Sequence, residues 1–498
     1  MTVAAADLNL LNSYTSGSIN ADNVAKLTGS VADLNTAFGA KAASGSNGID
    51  FGGSSGAADQ AVEITDATVL AVDLNTLNGN TTGTIDASTL SEIEGTAANV
   101  NTIYDSKSGG NGFTGLGDEA ITLTDTTVTA AALIDLYTNG TSGVIDASTV
   151  HTITGTTANA NTIYAQTSTF TGLGTENITI TGETSNTLGA AALNTLNGNT
   201  TGNINANTVT TLTGSISALN TAYAASASTG DGISNLGDEA ITLSDTSVTD
   251  VAALNTLNGN TTGLIDAGTN VTSFTGSISA LNTMFAAAGD SGDKIDFGGT
   301  SGAATQTVTI SDTTDVSVTG LNTLNSNTTG NIDATNVTSL ASASISDIKT
   351  LLTNGNNTTN HFVATSFQSL ATVAVSGTSV SVTDLNDAID QANTATGGTS
   401  TVFSVASGAT ITTGDDAEFT ALRGHESNGN IDITDQNLTV SSGFVTVDKA
   451  NLLHATTTGV VTASIVTSET VDELTTLSGT GNAYTIVINS RDADAKQS

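Results

Sequence analysis

The chain of 498 residues contains no cysteine, and it contains no proline or tryptophan either. Without cysteine it can form no disulfide, no thiolate nucleophile and no sulfur-ligated metal site. Basic residues are scarce, since nine Lys and Arg stand against 47 Asp and Glu and leave a net charge of −38. This charge disfavours nucleic acids and anionic membrane surfaces as partners, because both are negatively charged. Cationic partners, divalent ions or a saline medium are favoured instead.

Long apolar runs are missing as well. No run approaches the roughly 18 apolar residues that a transmembrane helix needs, so we expect no membrane span. The first residues, MTVAAADLNLLNSYTSG, have neither the basic region nor the apolar region of a secretory signal peptide. Three interpretations stay open: a virion protein, a substrate of a signal-less exporter, or a fragment of something longer. Only 11% of residues are charged, so the polar surface should consist mainly of Thr, Ser and Asn.

What the chain does contain is a repeat. The letters AALNTLNGNTTG occur at 191–202 and again at 252–263, with looser versions at 8–17, 72–83, 133–143 and 321–330. The glycines that close these stretches recur every 59 to 67 residues, at Gly17, Gly83, Gly143, Gly202, Gly263 and Gly330. Self-similarity at a nearly fixed period indicates units that stack on their neighbours because one unit cannot bury its apolar face alone.

Each period predicts two strands and two short helices. In the second unit, residues 83–90 alternate as a half-buried strand does, and residues 121–125 form a second strand. Val100, Ile103 and Tyr104 lie on one helical face, with an aromatic residue at the helix end, as in the other periods. A Gly-Ser or Gly-Thr pair precedes these helices and supplies an N-cap hydroxyl. The ALNTLNG helix should end at its Asn-Gly pair in the left-handed conformation.

These elements predict an α/β repeat solenoid of short parallel strands and short helices. Half a period, roughly thirty residues, is one coil and is similar to a leucine-rich repeat, although the Asn of the LxxLxLxxN pattern is not at its place. About sixteen coils with strands about 4.8 Å apart would make a rod on the order of 75 Å long. We expect regular repeats of two coils each over 1–330 and diverged repeats over 331–498. The apolar run at 483–488 should cap the rod or dock the next molecule.

Paired acidic residues are the first candidates for chemistry. Asp118-Glu119 and Asp238-Glu239 stand in the context LGDEAITL, and Asp415-Asp416 forms a third pair. Such pairs could bind calcium, which prefers several oxygen ligands. We favour solvated turns before a strand, because neither an EF-hand loop nor the GGxGxDxUx nonapeptide is present and the third repeat has Thr175-Glu176 instead.

A column of aspartates recurs in the I-D-A strands, at Asp86, Asp146, Asp266 and Asp333. Successive copies are at least two coils apart, about 10 Å, which is too far for one ion to bridge. We expect these side chains to face solvent, because Asn20 and Asn205 occupy the same place without a carboxylate.

The remaining motifs predict no catalytic, cofactor-binding or metal-binding residue. The four histidines (His151, His361, His425 and His454) stand at unrelated places in the repeat, and none belongs to a zinc motif. The sequence has no GxSxG motif, no Walker A motif and no GxGxxG followed by a helix. We therefore expect that the protein is not an enzyme. We expect no cofactor, and calcium is the single cofactor that the sequence leaves open.

The units TTGxIDAxxVxxLTGSxxxLNTAY and ALNTLNGNTTG resemble the Thr/Asn/Gly-rich repeats of surface-layer or adhesin-like proteins and virion appendages of marine cyanobacteria and their phages. The resemblance covers about residues 1–350 and implies a structural role outside the cell or in a virion. It supplies no functional residues.

The leading hypothesis is thus a non-enzymatic structural protein at the cell surface that self-associates into a surface layer, filament or adhesive stalk. A phage fibre or capsid appendage and a calcium-dependent adhesion module are the alternatives, and a cell-surface or glycan partner is left open. A carbohydrate-active β-helix enzyme is disfavoured, because its acidic cluster would need nearby Arg or Lys and the chain has nine in all.

Overall fold

The computed structural model describes residues 1–42, 47–52, 58–107, 112–226, 232–299, 304–357, 361–397 and 401–488. Short parallel strands alternate with short helices along the chain, which confirms the predicted α/β class. The chain packs into two compact units, unit 1 (Met1–Glu239) and unit 2 (Ala240–Ser498). The sequence boundary at residue 330 concerns the regularity of the repeat and stays a prediction.

In unit 1, consecutive helices contact each other in chain order. They are α1 (Ala5–Ser13), α2 (Val31–Gly39), α3 (Ala71–Asn80), α4 (Ala97–Ser106), α5 (Ala130–Asp135), α6 (Thr157–Tyr164), α7 (Ala190–Asn199) and α8 (Ile216–Ser226). A π-helical turn, Leu136–Gly140, continues α5, and a 3-10 turn spans Thr184–Asn186.

The strands of unit 1 form mainly three five-stranded parallel sheets. The first sheet contains β1 (Thr2–Ala4), β3 (Lys26–Gly29), β5 (Ala61–Ile64), β7 (Ile85–Asp86) and β9 (Phe113–Thr114). The second contains β6 (Thr68–Leu70), β8 (Glu92–Gly95), β10 (Ala120–Leu123), β12 (Ile145–Asp146) and β14 (Phe170–Thr171). The third contains β11 (Thr127–Thr129), β13 (Thr152–Gly155), β15 (Asn177–Ile180), β17 (Asn203–Asn205) and β19 (Gly232–Ser234). Two further pairs join β2 (Ser18–Asn20) to β4 (Gly48–Asp50) and β16 (Thr187–Gly189) to β18 (Thr211–Gly214).

Unit 2 follows the same plan. Its helices are α9 (Val251–Asn258), α10 (Ile278–Ala286), α11 (Val318–Asn327), α12 (Ile345–Gly355), α13 (Val382–Ala395), α14 (Asp416–Ser427), α15 (Val447–Thr456) and α16 (Val471–Leu474). Its strands pair in parallel in four groups. The first group is β20 (Ala240–Leu243), β22 (Ile265–Asp266) and β24 (Ile295–Asp296), and the second is β21 (Ser247–Val248), β23 (Ser273–Gly276), β25 (Thr307–Ile310) and β26 (Ile332–Asp333). The third is β27 (Ser339–Ala343), β28 (Thr372–Val375) and β30 (Val402–Val405), and the fourth is β29 (Ser379–Ser381), β31 (Thr410–Gly414), β32 (Asn437–Val440), β33 (Val461–Ser464) and β34 (Ala483–Thr485).

The core is built from ladders of apolar side chains. Most of the short strands bury one or two apolar side chains, and parallel pairing places each beside the equivalent side chain of the next strand in the sheet. In the third sheet one such ladder runs through Val128, Ile153, Ile178, Ile204 and Ile233, none of them more than 6% exposed. Burying one such side chain stabilises the fold by about 1.5–3 kcal/mol. The ladder therefore supplies the cohesion between coils that a two- or three-residue strand could not supply alone.

The helix starts match the sequence prediction. The hydroxyls of Ser30, Thr96, Thr156, Ser215 and Ser277 each accept a hydrogen bond from the backbone N–H three residues later, at 3.1 to 3.3 Å. This satisfies one of the free amides of the first helical turn and confirms these residues as N-caps.

The glycine before each cap has a packing role. At Gly95 an added Cβ would lie 2.6 Å from the Cβ of Ala71, the first residue of α3 in the preceding coil. Two coils can approach this closely only because no side chain stands there.

The predicted number of strands is wrong. A period contains five strands, β7 to β11 in the second unit of the repeat, where the alternation predicted two. The missed strands are two to four residues long, too short for a period-two pattern to be recognised. Pairing with the neighbouring coils holds them, as when β8 pairs with both β6 and β10.

The ALNTLNG helix ends at its Asn-Gly pair in α9, where Gly259 follows Asn258, but the predicted left-handed conformation is wrong, because Gly259 has a φ of −78°. Helix α3 continues through Gly79, which does not have a positive φ, to Asn80. The chain then becomes extended at Thr81, whose hydroxyl donates to the carbonyl oxygen of Gln60 at 3.0 Å. The helix therefore ends by bonding to the preceding coil and not by closing on itself.

The apolar run at 483–488 forms a strand only over its first three residues, Ala483–Thr485, which pair with β33. Ile486, Val487 and Ile488 are 42 to 64% exposed. Its predicted role in capping or docking stays a prediction. Among the described residues, no helix is both long and apolar enough to span a membrane.

Candidate functional site

The paired acidic residues of the LGDEAITL turns separate into two environments. Asp118 and Asp238 are exposed, whereas Glu119 and Glu239 are each 1% exposed. In the third repeat Glu176 is 0% exposed. The prediction of a solvated turn is thus correct for the aspartates and wrong for the glutamates, whose side chains are buried.

Each buried glutamate contacts a tyrosine in the last turn of the preceding helix. The phenol of Tyr104 donates to Glu119 Oε2 at 2.8 Å, and the phenol of Tyr164 donates to Glu176 Oε2 at 2.8 Å. Tyr223 contacts Glu239 in the same way at 3.0 Å. A backbone N–H two residues before each glutamate also donates to its carboxylate, at 2.8 to 2.9 Å. The carboxylate therefore ties a helix end to the turn that follows it.

Burial has a clear effect on these phenols. Desolvation, followed by the charge of the facing glutamate, raises the pKa of Tyr104 and of Tyr164 far above the ordinary value of 10.0. Both phenols thus stay protonated and act as donors across the physiological range.

In two other coils, a phenylalanine and a glutamine stand where these coils have the tyrosine and the buried glutamate. Gln60 and Gln306 replace the glutamate, and the preceding helices contain Phe38 and Phe285 where the other copies have tyrosine. Both glutamines are buried, at 3% and 7% exposure, and each donates from Nε2 to the carbonyl oxygen of a loop phenylalanine, at 2.9 and 2.8 Å. Glutamine carries its own donor, so it does not need a phenol.

This pairing is what the sequence analysis missed. Tyrosine occurs with glutamate in three repeats and phenylalanine with glutamine in two, whereas the glutamine at Gln436 follows a helix with Arg423 at this position. The backbone shows that the glutamine and glutamate positions are equivalent. The carbonyl oxygens of Gln60, Glu119 and Glu176 each accept a hydrogen bond from the hydroxyl of a threonine in the TTG or TSG segment. The joint change of the aromatic residue and its partner is visible in the sequence when the repeats are aligned position by position.

The aspartate column is partly buried and not fully solvent-facing. Asp86, Asp146, Asp266 and Asp333 are half-buried, and each Oδ1 accepts the backbone N–H two residues later, at 2.9 to 3.1 Å. Hydrogen bonds from Ser88 lower the pKa of Asp86 below its ordinary value. Asn20 and Asn205 make the same turn with their amide oxygens, which explains why either residue serves there.

The third acidic pair and three of the four histidines have local contacts. Asp415 caps α14 in a capping box with Glu418, and Asp416 forms an ion pair with Lys449. His151 and His361 each place Nδ1 near a backbone carbonyl oxygen, at 2.7 and 3.1 Å. His425 lies 3.7 Å from the carboxylate of Asp390. No group of three or more His, Asp or Glu side chains suited to a metal ion occurs among the described residues.

Asparagines of the helices join one coil to the next. In each case Nδ2 donates to a backbone carbonyl oxygen near the start of the following helix, at 2.8 to 3.0 Å. The donors include Asn75, Asn101, Asn161, Asn194, Asn255 and Asn282. The asparagine that is out of place for a leucine-rich repeat therefore belongs to a ladder along the helices.

Several sheets have no ionisable side chain on the outward face of their described strands, and two of these carry mainly Thr, Ser and Asn there. We call the first the unit-1 threonine face, which consists of Thr127, Thr129, Thr152, Thr154, Asn177 and Thr179 on β11, β13 and β15. The second, the unit-2 threonine face, consists of Ser379, Ser381, Thr410, Thr412, Asn437 and Thr439 on β29, β31 and β32. These side chains are exposed or half-buried, while the residue between each pair is buried.

No protein-family model matches this chain, and no curated protein is detectably similar to it in sequence. The resemblance to surface and virion repeat proteins therefore stays a prediction.

Proposed function

We propose that this chain is a non-enzymatic structural repeat protein that associates with copies of itself to form or decorate an extracellular assembly, such as a surface layer, a filament or an adhesive stalk. The observation that carries the proposal is the pairing of coil with coil. In the third sheet the ladder from Val128 to Ile233 advances by 25, 25, 26 and 29 residues from one strand to the next. Such a stack is a scaffold that repeats a surface at a fixed spacing.

The same steps support a solenoid. A coil of about 25 to 30 residues is half of the sequence period, and each coil adds about 4.8 Å to the stack. We propose that the coils form an elongated α/β solenoid with the leucine-rich-repeat-like order of strand, turn and helix. Small-angle scattering of the purified chain tests this: an elongated particle supports the proposal, and a compact sphere contradicts it.

The contacts made by the buried glutamates, the helix asparagines and the strand aspartates also support a structural role. The three buried glutamates bond to tyrosines, and the helix asparagines bond to the next coil. The aspartates of the I-D strands hold turns. These side chains serve the connections between coils, and the surface that they leave consists mainly of hydroxyl and amide groups.

Self-association is testable directly. Sedimentation velocity of the purified full chain, over a range of protein concentration and salt, should show species larger than the monomer, and salt should strengthen them by screening the net charge of −38. Parallel runs with calcium and with a chelator distinguish the calcium-dependent adhesion module, which would assemble only with calcium. A strict monomer in every condition would contradict the proposal.

A further inference from the structure

We propose that copies of this chain associate by packing a threonine face of one copy against a threonine face of another. The inference rests on the proposed self-association and names the surface that carries it. It follows from three properties of these faces: the absence of charge, the ability of their side chains to donate and accept hydrogen bonds, and their repeat.

The first property is charge. With 47 acidic and nine basic residues, two copies carry a net charge of −38 each and repel each other overall. The first and second sheets of unit 1 share in this, because Glu63, Glu92 and Glu94 lie on their outward faces. On the threonine faces no such charge has to be brought close to another or removed from water.

The second property is self-complementarity. A carboxylate only accepts hydrogen bonds, so two acidic faces cannot satisfy each other, whereas hydroxyl and amide groups donate and accept. Among the described residues, no hydrogen bond engages the hydroxyls of Thr127, Thr152, Thr154 or Thr179. These hydroxyls are therefore available to a second copy, directly or through water.

The third property is the repeat. On each face the side chains stand in columns with one residue per strand, about 4.8 Å apart, so two such faces have matching spacing by construction. Threonine is stiff about χ1 and loses little rotamer freedom when it becomes buried. Identical side chains interdigitate in this way in steric zippers. A surface of unrelated spacing would match only a few positions, and this favours a second copy as the occupant.

A single contact of this kind is weak. Three strands about 4.8 Å apart make a face roughly 10 Å wide, so one threonine face offers far less than the approximately 800 Å² per partner of a standard interface. Each chain carries two faces, and contacts that form together strengthen one another. We therefore expect assembly to be steeply dependent on concentration.

The repeat supplies a well-matched variant. Thr152→Glu with Thr154→Glu turns β13 from T-I-T-G into E-I-E-G, the sequence that β8 of the same chain uses at the equivalent position. The fold should therefore accept it, which circular dichroism checks. We expect this variant to need at least several-fold more protein to assemble, and the addition of Thr410→Glu and Thr412→Glu to abolish assembly. The control is Glu92→Thr with Glu94→Thr, which should assemble no less than the parent.

The absence of cysteine allows a second test. Thr154→Cys and Glu94→Cys each give a chain with one thiol at equivalent places in two sheets. After treatment with a short bismaleimide under assembly conditions, Thr154→Cys should give several-fold more covalent dimer than Glu94→Cys. If the parent assembles while the glutamate variants assemble equally and both thiols cross-link alike, this inference is overturned and the proposed function stands. If the parent never assembles, both are overturned.

Discussion

Replacing Tyr104 by phenylalanine tests whether the buried tyrosine–glutamate pairs hold the coils together. The change removes one hydroxyl, which donates to Glu119 Oε2 at 2.8 Å. Glu119 is 1% exposed, so water cannot replace the phenol without a rearrangement, and the N–H of Gly117 remains as a donor. A hydrogen bond to a charged group contributes about 1.5–3 kcal/mol. We expect Tyr104→Phe to destabilise this coil by about 2 kcal/mol.

Replacing the partner residue Glu119 by glutamine should restore part of the stability that Tyr104→Phe loses. Glu119→Gln removes the charge and adds a donor, and the double variant reproduces the phenylalanine–glutamine pair that the chain uses at Phe38 and Gln60. We expect the double variant to be more stable than the sum of the single changes predicts, by about 1–2 kcal/mol, because the two side chains are in direct contact.

Hydrogen exchange read by mass spectrometry measures this locally in the full chain, without assuming that the two units unfold together. Amides of α4 and of residues 112–123 should exchange roughly 30-fold faster in Tyr104→Phe, because 1.4 kcal/mol corresponds to a factor of ten. Tyr14→Phe is the control, since Tyr14 is 77% exposed. Equal exchange in the two variants, or strictly additive effects of the double change, would refute the reasoning.

Two further predictions concern alkaline pH and glycine packing. Because the pKa of Tyr104 and of Tyr164 is raised in the folded chain, the unfolded chain releases these protons near pH 10 while the folded chain retains them. The contribution of the two phenols to the free energy of unfolding is therefore complete below pH 10 and declines as the pH rises further. An absorbance titration of phenolate should show these residues ionising only together with unfolding; ionisation near pH 10 in the folded chain would count against their burial. Gly95→Ala should destabilise by about 1–3 kcal/mol, because its Cβ would meet Ala71 at 2.6 Å, whereas Gly79→Ala has nothing within 4 Å and should stabilise α3 by up to about 1 kcal/mol. Thermal melts of both decide this, and effects of the same sign would contradict the packing argument.

The sequence predicted best those features that depend on neighbouring residues. The α/β class, the capping hydroxyls such as Ser30, and the buried helix triplet of Val100, Ile103 and Tyr104 are confirmed. Each depends on a few consecutive residues, where capping chemistry and the helical period act directly.

Features that depend on the next coil were missed. The strand Glu92–Gly95 has glutamates at its outward positions and forms because β6 and β10 pair with it. Glu119 is buried because a tyrosine fifteen residues earlier reaches it. The helix α3 continues past its Asn-Gly pair because Thr81 bonds to the preceding coil. Local propensity cannot anticipate bonds between residues that stacking brings together.

Negative-stain electron microscopy of the purified full chain, imaged at rising concentration with calcium and with a chelator, tests the central claim most directly. We expect elongated particles that associate into ordered filaments or layers, and we expect this assembly to require the threonine faces. Compact, isolated particles at every concentration in both conditions would contradict the claim that this repeat protein builds an assembly from copies of itself.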